Sequence, residues 1–125
     1  MSVAKPCAAS LVVLDFDGTL TDVDAHRSAF YEASGRELAR LLEWDTGTLK
    51  RQWRRALDVA MQLPPEAAWI VDGRGVCPAA VDPYMIANGV TLRLLSEHRP
   101  GAAPRALVRD VLEVHHAAYL LASQT

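Results

Sequence analysis

Two aspartates near the start of the chain stand in a setting that suits phosphoryl transfer. Asp15 directly follows an apolar run at residues 11–14, and Asp17 comes two positions later, just before Gly18. A buried strand that ends in Asp15 places this carboxylate at the carboxyl edge of a parallel sheet, where open α/β folds bind ligands. Two carboxylates this close repel each other, so we expect a cation beside them, and hard oxygen ligands favour Mg²⁺.

Asp15 and Asp17 can each carry out a different part of the hydrolysis of a phosphate ester. The carboxylate of Asp15 can attack phosphorus and form an aspartyl-phosphate, which splits one difficult step into two easier ones. Asp17 can protonate the leaving oxygen and then deprotonate water, while Mg²⁺ neutralises charge on the phosphoryl oxygens. The hydroxyl of Thr19 and the backbone N–H groups around Gly18 are suitable donors to the same oxygens.

The motif Asp-x-Asp-Gly-Thr-Leu at residues 15–20, together with the apolar run before it, resembles the first signature motif of the haloacid dehalogenase superfamily. The resemblance implies that Asp15 is the nucleophile. It implies that Asp17 is the general acid and base and that its backbone carbonyl binds Mg²⁺, with Asp15 as the other metal ligand. It also implies that Thr19 helps to hold Asp17 in place and that the substrate is a small phosphorylated metabolite.

The rest of the chain carries mainly helical patterns. Apolar residues recur at helical spacing in four stretches, at residues 27–44, 49–61, 82–97 and 105–122. Asp82 followed by Pro83 indicates a capped helix start, whereas Asn88 and Gly89 weaken the middle of that helix. Asp22 either edges the active site or caps the helix that follows it. Residues 69–78 predict a turn-rich loop.

These helices resemble the α-helical cap that many members of the superfamily insert after the first motif. Caps of this kind close over the site and select the substrate. Arg74 lies between two glycines in the predicted loop of the cap-like region. It is therefore our candidate for a substrate contact from the cap.

The predicted fold class is α/β: the start of a Rossmann-like parallel sheet at residues 1–24, followed by a mainly helical cap-like region at residues 25–125. The core is expected to be incomplete, because the later Ser or Thr, Lys and acidic pair of the superfamily cannot be placed. The only lysines are Lys5 and Lys50. The alternative to an active phosphohydrolase is a truncated, inactive relative that serves as an interaction module or is a nonproductive fragment. An uncovered sheet edge would favour self-association.

Composition and charge restrict the binding partners and the cellular compartment that we expect for this protein. The 125 residues carry a formal net charge of −2 with mixed signs, which argues against a nucleic-acid partner. No apolar run is long enough for a signal peptide or a membrane span. Cys7 and Cys77 are too few for a disulfide framework or a zinc site. We therefore expect a cytoplasmic protein without a membrane or nucleic-acid partner.

The histidines and the basic residues are weaker candidates. His115 and His116 occupy adjacent helical positions, which point in different directions, so one is expected near the apolar face and the other in solvent. His26 and His98 have no partner at ligand spacing. The basic cluster at residues 50–55 predicts a solvated helix face, and the tryptophans predict helix packing.

Overall fold

All four predicted helices are present. The computed structural model describes residues 11–12, 22–61, 68–72, 74–78 and 82–124. In chain order its elements are α1 (Val23–Leu42), α2 (Thr46–Met61), β1 (Ala68–Val71), β2 (Arg74–Pro78), α3 (Pro83–His98) and α4 (Pro104–Ala122). None of these described helices is long and apolar enough to cross a membrane.

Side-chain caps explain where α1 and α2 begin. The carboxylate of Asp22 accepts a hydrogen bond from the N–H of Ala25 at 3.0 Å, so α1 begins earlier than predicted. It ends at Glu43, which adopts a left-handed conformation with φ of 56°. Asp45 then accepts from the N–H of Thr48 at 2.7 Å and caps α2. Because this bond favours the charged carboxylate, it lowers the pKa of Asp45 below its ordinary value.

The start of α3 agrees with the sequence prediction. Asp82 accepts hydrogen bonds from the N–H groups of Tyr84 at 2.9 Å and Met85 at 3.3 Å, and Pro83 opens the helix. Asn88 and Gly89 do not interrupt this helix, although Gly lowers intrinsic helix propensity. Tertiary packing on both sides of these two residues compensates for the weak propensity.

α3 packs against α1, α2 and α4, and it is the main contact of α2. Its buried side chains recur at helical spacing and form one broad face: Pro83, Ile86, Ala87, Val90, Thr91, Leu94 and Leu95. A buried face this broad can contact more than one neighbouring helix. The other three helices supply these neighbours, so the core forms between helices.

α1 packs against α4 and α3 more extensively than against its sequence neighbour α2. Phe30 and Leu38 on α1 are both fully buried. α2 packs mainly against α3, and its buried residues are Ala56 and Ala60. Trp53 packs partly buried against the core, as predicted for a packing residue.

The predicted α/β fold with a parallel sheet is wrong. Leu11 and Val12, which were expected in a buried strand, lie outside any regular element and are 77 % and 74 % exposed. The two strands of the described residues pair with each other in antiparallel orientation. The buried apolar side chains of the helices pack against one another, so the described core does not require a sheet.

The predicted loop at residues 69–78 is largely a β-hairpin. β1 pairs with β2, with an irregularity in register between Trp69 and Ile70, and Asp72 lies in the turn with φ of 49°. The prediction of a turn was correct at Asp72, but the flanking residues form strands. The division of the chain at residues 24 and 25 stays a prediction, because most of residues 1–21 lie outside the described ranges.

Candidate functional site

The motif residues predicted to be catalytic lie outside the described residues. This applies to Asp15, Asp17, Gly18 and Thr19. Arg74 lies in β2, where its backbone pairs with Val71, but its side chain is not among those described. After the motif the described chain resumes at Asp22, so the motif joins the bundle at the N-terminus of α1.

Aromatic and imidazole rings from three helices gather near this end of α1. We call them the ring cluster, which consists of His26 and Phe30 on α1, Tyr84 on α3, and His115 and Tyr119 on α4. The centroid of the Phe30 ring lies 4.8 Å from that of Tyr84 and 5.2 Å from that of His115, both edge to face. These are favourable distances and orientations for aromatic pairs.

His26 and Tyr84, which are partly buried, lie beside the more exposed Tyr119 in the ring cluster. The centroid of His26 lies 5.9 Å from Tyr84 and 5.8 Å from Tyr119. Tyr119 is 39 % exposed, whereas Phe30 is fully buried. The ring cluster therefore extends from the core to the surface.

Two hydrogen bonds orient the imidazoles. Nδ1 of His26 lies 3.0 Å from the hydroxyl of Tyr84, and Nδ1 of His115 lies 2.9 Å from Oδ1 of Asn88. An amide oxygen can only accept, so Nδ1 of His115 carries the proton in that pair. In the neutral ring, Nε2 of His115 is then a hydrogen-bond acceptor.

Burial lowers the pKa of His115 below its ordinary value of 6.5. The carboxylate of Asp82 acts in the opposite direction, and the neighbouring His116 reinforces the decrease. His115 is half-buried and His116 is exposed, which confirms the prediction that the two imidazoles occupy different environments. His115 is consequently neutral around neutral pH.

Helical spacing gives only part of the signal for the ring cluster, which was not predicted from the sequence. Each of the three helices presents two of its polar or aromatic side chains four residues apart: His26 with Phe30, Tyr84 with Asn88, and His115 with Tyr119. Residues at this spacing share one face of a helix. His26 has no partner at ligand spacing in the sequence, and its hydrogen-bond partner Tyr84 comes from another helix. The four-residue spacing of these side chains, repeated on three helices, was the signal in the sequence that could have identified the ring cluster.

Metal ligands are not gathered elsewhere in the described part of the chain. Among those residues, no group of three or more His, Cys, Asp or Glu side chains could hold a metal ion. Asp15 and Asp17, the predicted Mg²⁺ ligands, lie outside the described residues.

The basic face of α2 is exposed, as predicted for a solvated face. Part of it is structural: the guanidinium of Arg55 pairs with the carboxylate of Glu97 on α3. Hydrogen bonding from Arg55 lowers the pKa of Glu97 below its ordinary value. This contact links α2 to α3 at the surface.

Comparison with protein-family models, curated proteins and solved structures found no match to this chain. The relation to the haloacid dehalogenase superfamily stays a prediction that rests on the motif.

Proposed function

We propose that this chain hydrolyses small phosphate monoesters in a Mg²⁺-dependent reaction, with Asp15 as the nucleophile. The observation that carries the proposal is the motif at residues 15–20, in which two carboxylates, a glycine and a threonine have the spacing of a phosphoryl-transfer loop. The described residues contain no parallel sheet that could position the motif. The proposal therefore rests on the motif alone.

In the proposed reaction, a carboxylate oxygen of Asp15 forms a bond to phosphorus as the bond from phosphorus to the ester oxygen breaks. The carboxylic acid of Asp17 gives its proton to the leaving oxygen, which departs as an alcohol. Asp17, now a carboxylate, takes a proton from water as that water attacks the aspartyl-phosphate. Inorganic phosphate leaves and Asp15 is restored. Mg²⁺, held by the Asp15 carboxylate and the Asp17 carbonyl, would neutralise charge on the phosphoryl oxygens.

The position of Asp22 supports a connection between the motif and the ring cluster. Three peptide units join Thr19 to Asp22, which limits the distance between their Cα atoms to roughly 11 Å. The N–H of His26 in turn donates to the carbonyl of Asp22 at 3.2 Å. A short segment therefore joins the motif to the start of α1, the helix that carries His26.

The first test is hydrolysis of p-nitrophenyl phosphate by the purified chain, with Mg²⁺ and then with EDTA. Asp15→Asn keeps the shape of the side chain but removes the nucleophile, so we expect kcat/KM to fall by at least about a thousandfold. Asp22→Asn is the matched control, because Asn caps helices as well as Asp, and its kcat/KM should stay within about threefold.

Trapping of the intermediate tests the chemical step itself. Acid quenching should yield a covalent phosphoryl adduct that hydroxylamine releases, and Asp15→Asn should not form it. A folded, monodisperse sample that shows no Mg²⁺-dependent turnover would refute the enzymatic proposal.

A second candidate function is that of an inactive relative that acts as an interaction module. The observation in its favour is an apolar stripe on α4, where Val108, Leu112 and Tyr119 are 50 %, 58 % and 39 % exposed. Exposed apolar side chains at helical spacing are typical of contact surfaces. Saturable self-association that Leu112→Glu abolishes, in a chain without turnover, would support this candidate over the enzyme.

A further inference from the structure

α4 carries an exposed face beside the one that it buries against α1 and α3. The apolar side chains of Val108 and Leu112 and part of the ring of Tyr119 lie on this exposed face. They are separated by four and then seven positions, which is the spacing of a seam between two packed helices. We call these three residues, together with the exposed Arg105 and His116 that share their side of the helix, the outer face of α4.

The residues of the outer face are arranged symmetrically about Leu112. Val108 and His116 each lie four positions from Leu112, and Arg105 and Tyr119 each lie seven positions from it. When two copies of a helix pack in antiparallel orientation about a twofold axis at Leu112, positions at equal distance from the axis meet. Val108 of one copy then faces His116 of the second copy. The guanidinium of Arg105 reaches the exposed part of the Tyr119 ring, which is a favourable contact for a cation.

The charges beside the outer face have the order that an antiparallel pair requires. Arg109 and Glu113 are exposed and lie four positions apart, so they share one edge of the outer face. The side chain of Arg109 is 68 % exposed despite its contact with Asp110. In an antiparallel pair each edge faces the same edge of the partner with the chain direction reversed, so Arg109 of one copy comes opposite Glu113 of the second copy. The twofold axis forms this contact twice. Two parallel copies would place these edges on opposite sides, and the charges would not meet.

We propose that α4 pairs with α4 of a second copy of this chain, in an antiparallel homodimer centred on Leu112. A second copy fits the outer face because one edge supplies both the basic and the acidic group of the contact. One helix face is smaller than the roughly 800 Å² per partner of a standard interface, so we expect a weak and reversible dimer. This inference builds on the contact surface of the second candidate function. It holds with or without turnover, so failure of the phosphohydrolase proposal leaves it intact.

Sedimentation equilibrium of the full chain over a wide range of protein concentrations measures the association. Leu112→Glu places two carboxylates against each other at the twofold axis and should weaken dimerisation by at least about tenfold. Leu121→Glu is the matched control, because Leu121 is also exposed but lies nine positions further on, on the opposite side of the helix. It should dimerise like the wild-type chain. A wild-type chain that stays monomeric at every concentration would overturn the inference, as would equal weakening by the two variants.

Charge reversal tests the antiparallel arrangement. Arg109→Glu and Glu113→Arg should each weaken the homodimer by about threefold to tenfold, because like charges then meet twice. An equimolar mixture of the two variants should recover the association, since every such contact in the mixed dimer joins opposite charges. Recovery would also show that both variants are folded. If the mixture associates no better than either variant alone, while far-UV circular dichroism shows both to be helical, the antiparallel pair is refuted.

Discussion

Arg99 and Asp110 form an ion pair that ties the end of α3 to the buried side of α4. Nη1 of Arg99 lies 2.6 Å from Oδ2 of Asp110, whose side chain is only 8 % exposed. Arg109 also contacts Asp110, at 3.3 Å, but its own side chain is 68 % exposed. The nearly buried carboxylate therefore depends chiefly on Arg99 for its charge partner.

Removal of Arg99 should destabilise the bundle. Arg99→Ala leaves the carboxylate of Asp110 buried with only an exposed partner, and we expect a loss of about 2 kcal/mol in the free energy of unfolding, since solvent near Arg99 screens part of the pair. Arg109→Ala should lose less than about 0.5 kcal/mol, as exposed pairs do. Urea unfolding measures both. Equal losses in the two variants would contradict the assigned roles.

The lowered pKa of His115 predicts that acid weakens the fold. The unfolded imidazole binds a proton at its ordinary pKa of 6.5, whereas the folded one resists until lower pH. The unfolded state therefore holds more protons in this window, and the free energy of unfolding falls as the pH drops through 6.5 and levels off below the folded pKa.

His115→Gln should reduce this dependence, because it removes the titrating group while keeping a side chain that can hydrogen-bond Asn88. Urea midpoints between about pH 8 and pH 5 measure the slope. His116→Gln, in the exposed neighbour, should reduce the slope less than His115→Gln, because it removes only the contribution of His116 to the lowered pKa of His115. A wild-type slope in His115→Gln would show that other groups cause the dependence.

Two leucines on α3 provide a matched test of the core. Leu95 is fully buried and Leu92 is 40 % exposed. Leu95→Ala should lower the free energy of unfolding by about 3 kcal/mol, through lost burial and the cavity left behind. Leu92→Ala should cost less than about 1 kcal/mol. Similar urea midpoints for the two variants would be inconsistent with the different burial of the two side chains.

The cap of α3 should make a measurable contribution. Asp82→Ala removes the acceptor for the N–H groups of Tyr84 and Met85, and we expect a loss of about 1 kcal/mol. Asp82→Asn keeps an oxygen acceptor and should recover most of that loss. If Asn proved as damaging as Ala in urea unfolding, the charge of Asp82 and not its capping bonds would be the source of the effect.

Local signals in the sequence were enough to predict the helices. The adjacent residues Asp82 and Pro83 indicate where α3 begins. Asp45 and its neighbours indicate the break between α1 and α2. Capping depends on hydrogen bonds over a few residues, so no knowledge of the rest of the fold is needed. The apolar stripes then indicate which face of each helix is buried.

Local signals in the sequence could not show whether the predicted parallel sheet forms. A run such as residues 11–14 has strand propensity, but its burial depends on partners from distant parts of the chain. The exposure of Leu11 and Val12 shows that the described residues do not provide these partners. Apolar pattern alone does not distinguish a strand that is buried from one that is not paired.

The ring cluster required the same long-range information. Spacing places His26 with Phe30 and His115 with Tyr119, but only the packing of α1 against α4 and α3 brings the pairs together. The motif at residues 15–20 is a different case. Its chemistry is inferred from residue types, and its geometry lies outside the described residues.

The pairing of α1 with α4 has a consequence for synthesis on the ribosome. Phe30 is covered in part by His115, which is translated much later. Until α4 leaves the exit tunnel, the apolar face of α1 has no complete cover, and nascent chains with such exposed faces are prone to aggregate. We therefore expect ribosome-bound intermediates that stop before α4 to bind chaperones, and release from them to require the fourth helix.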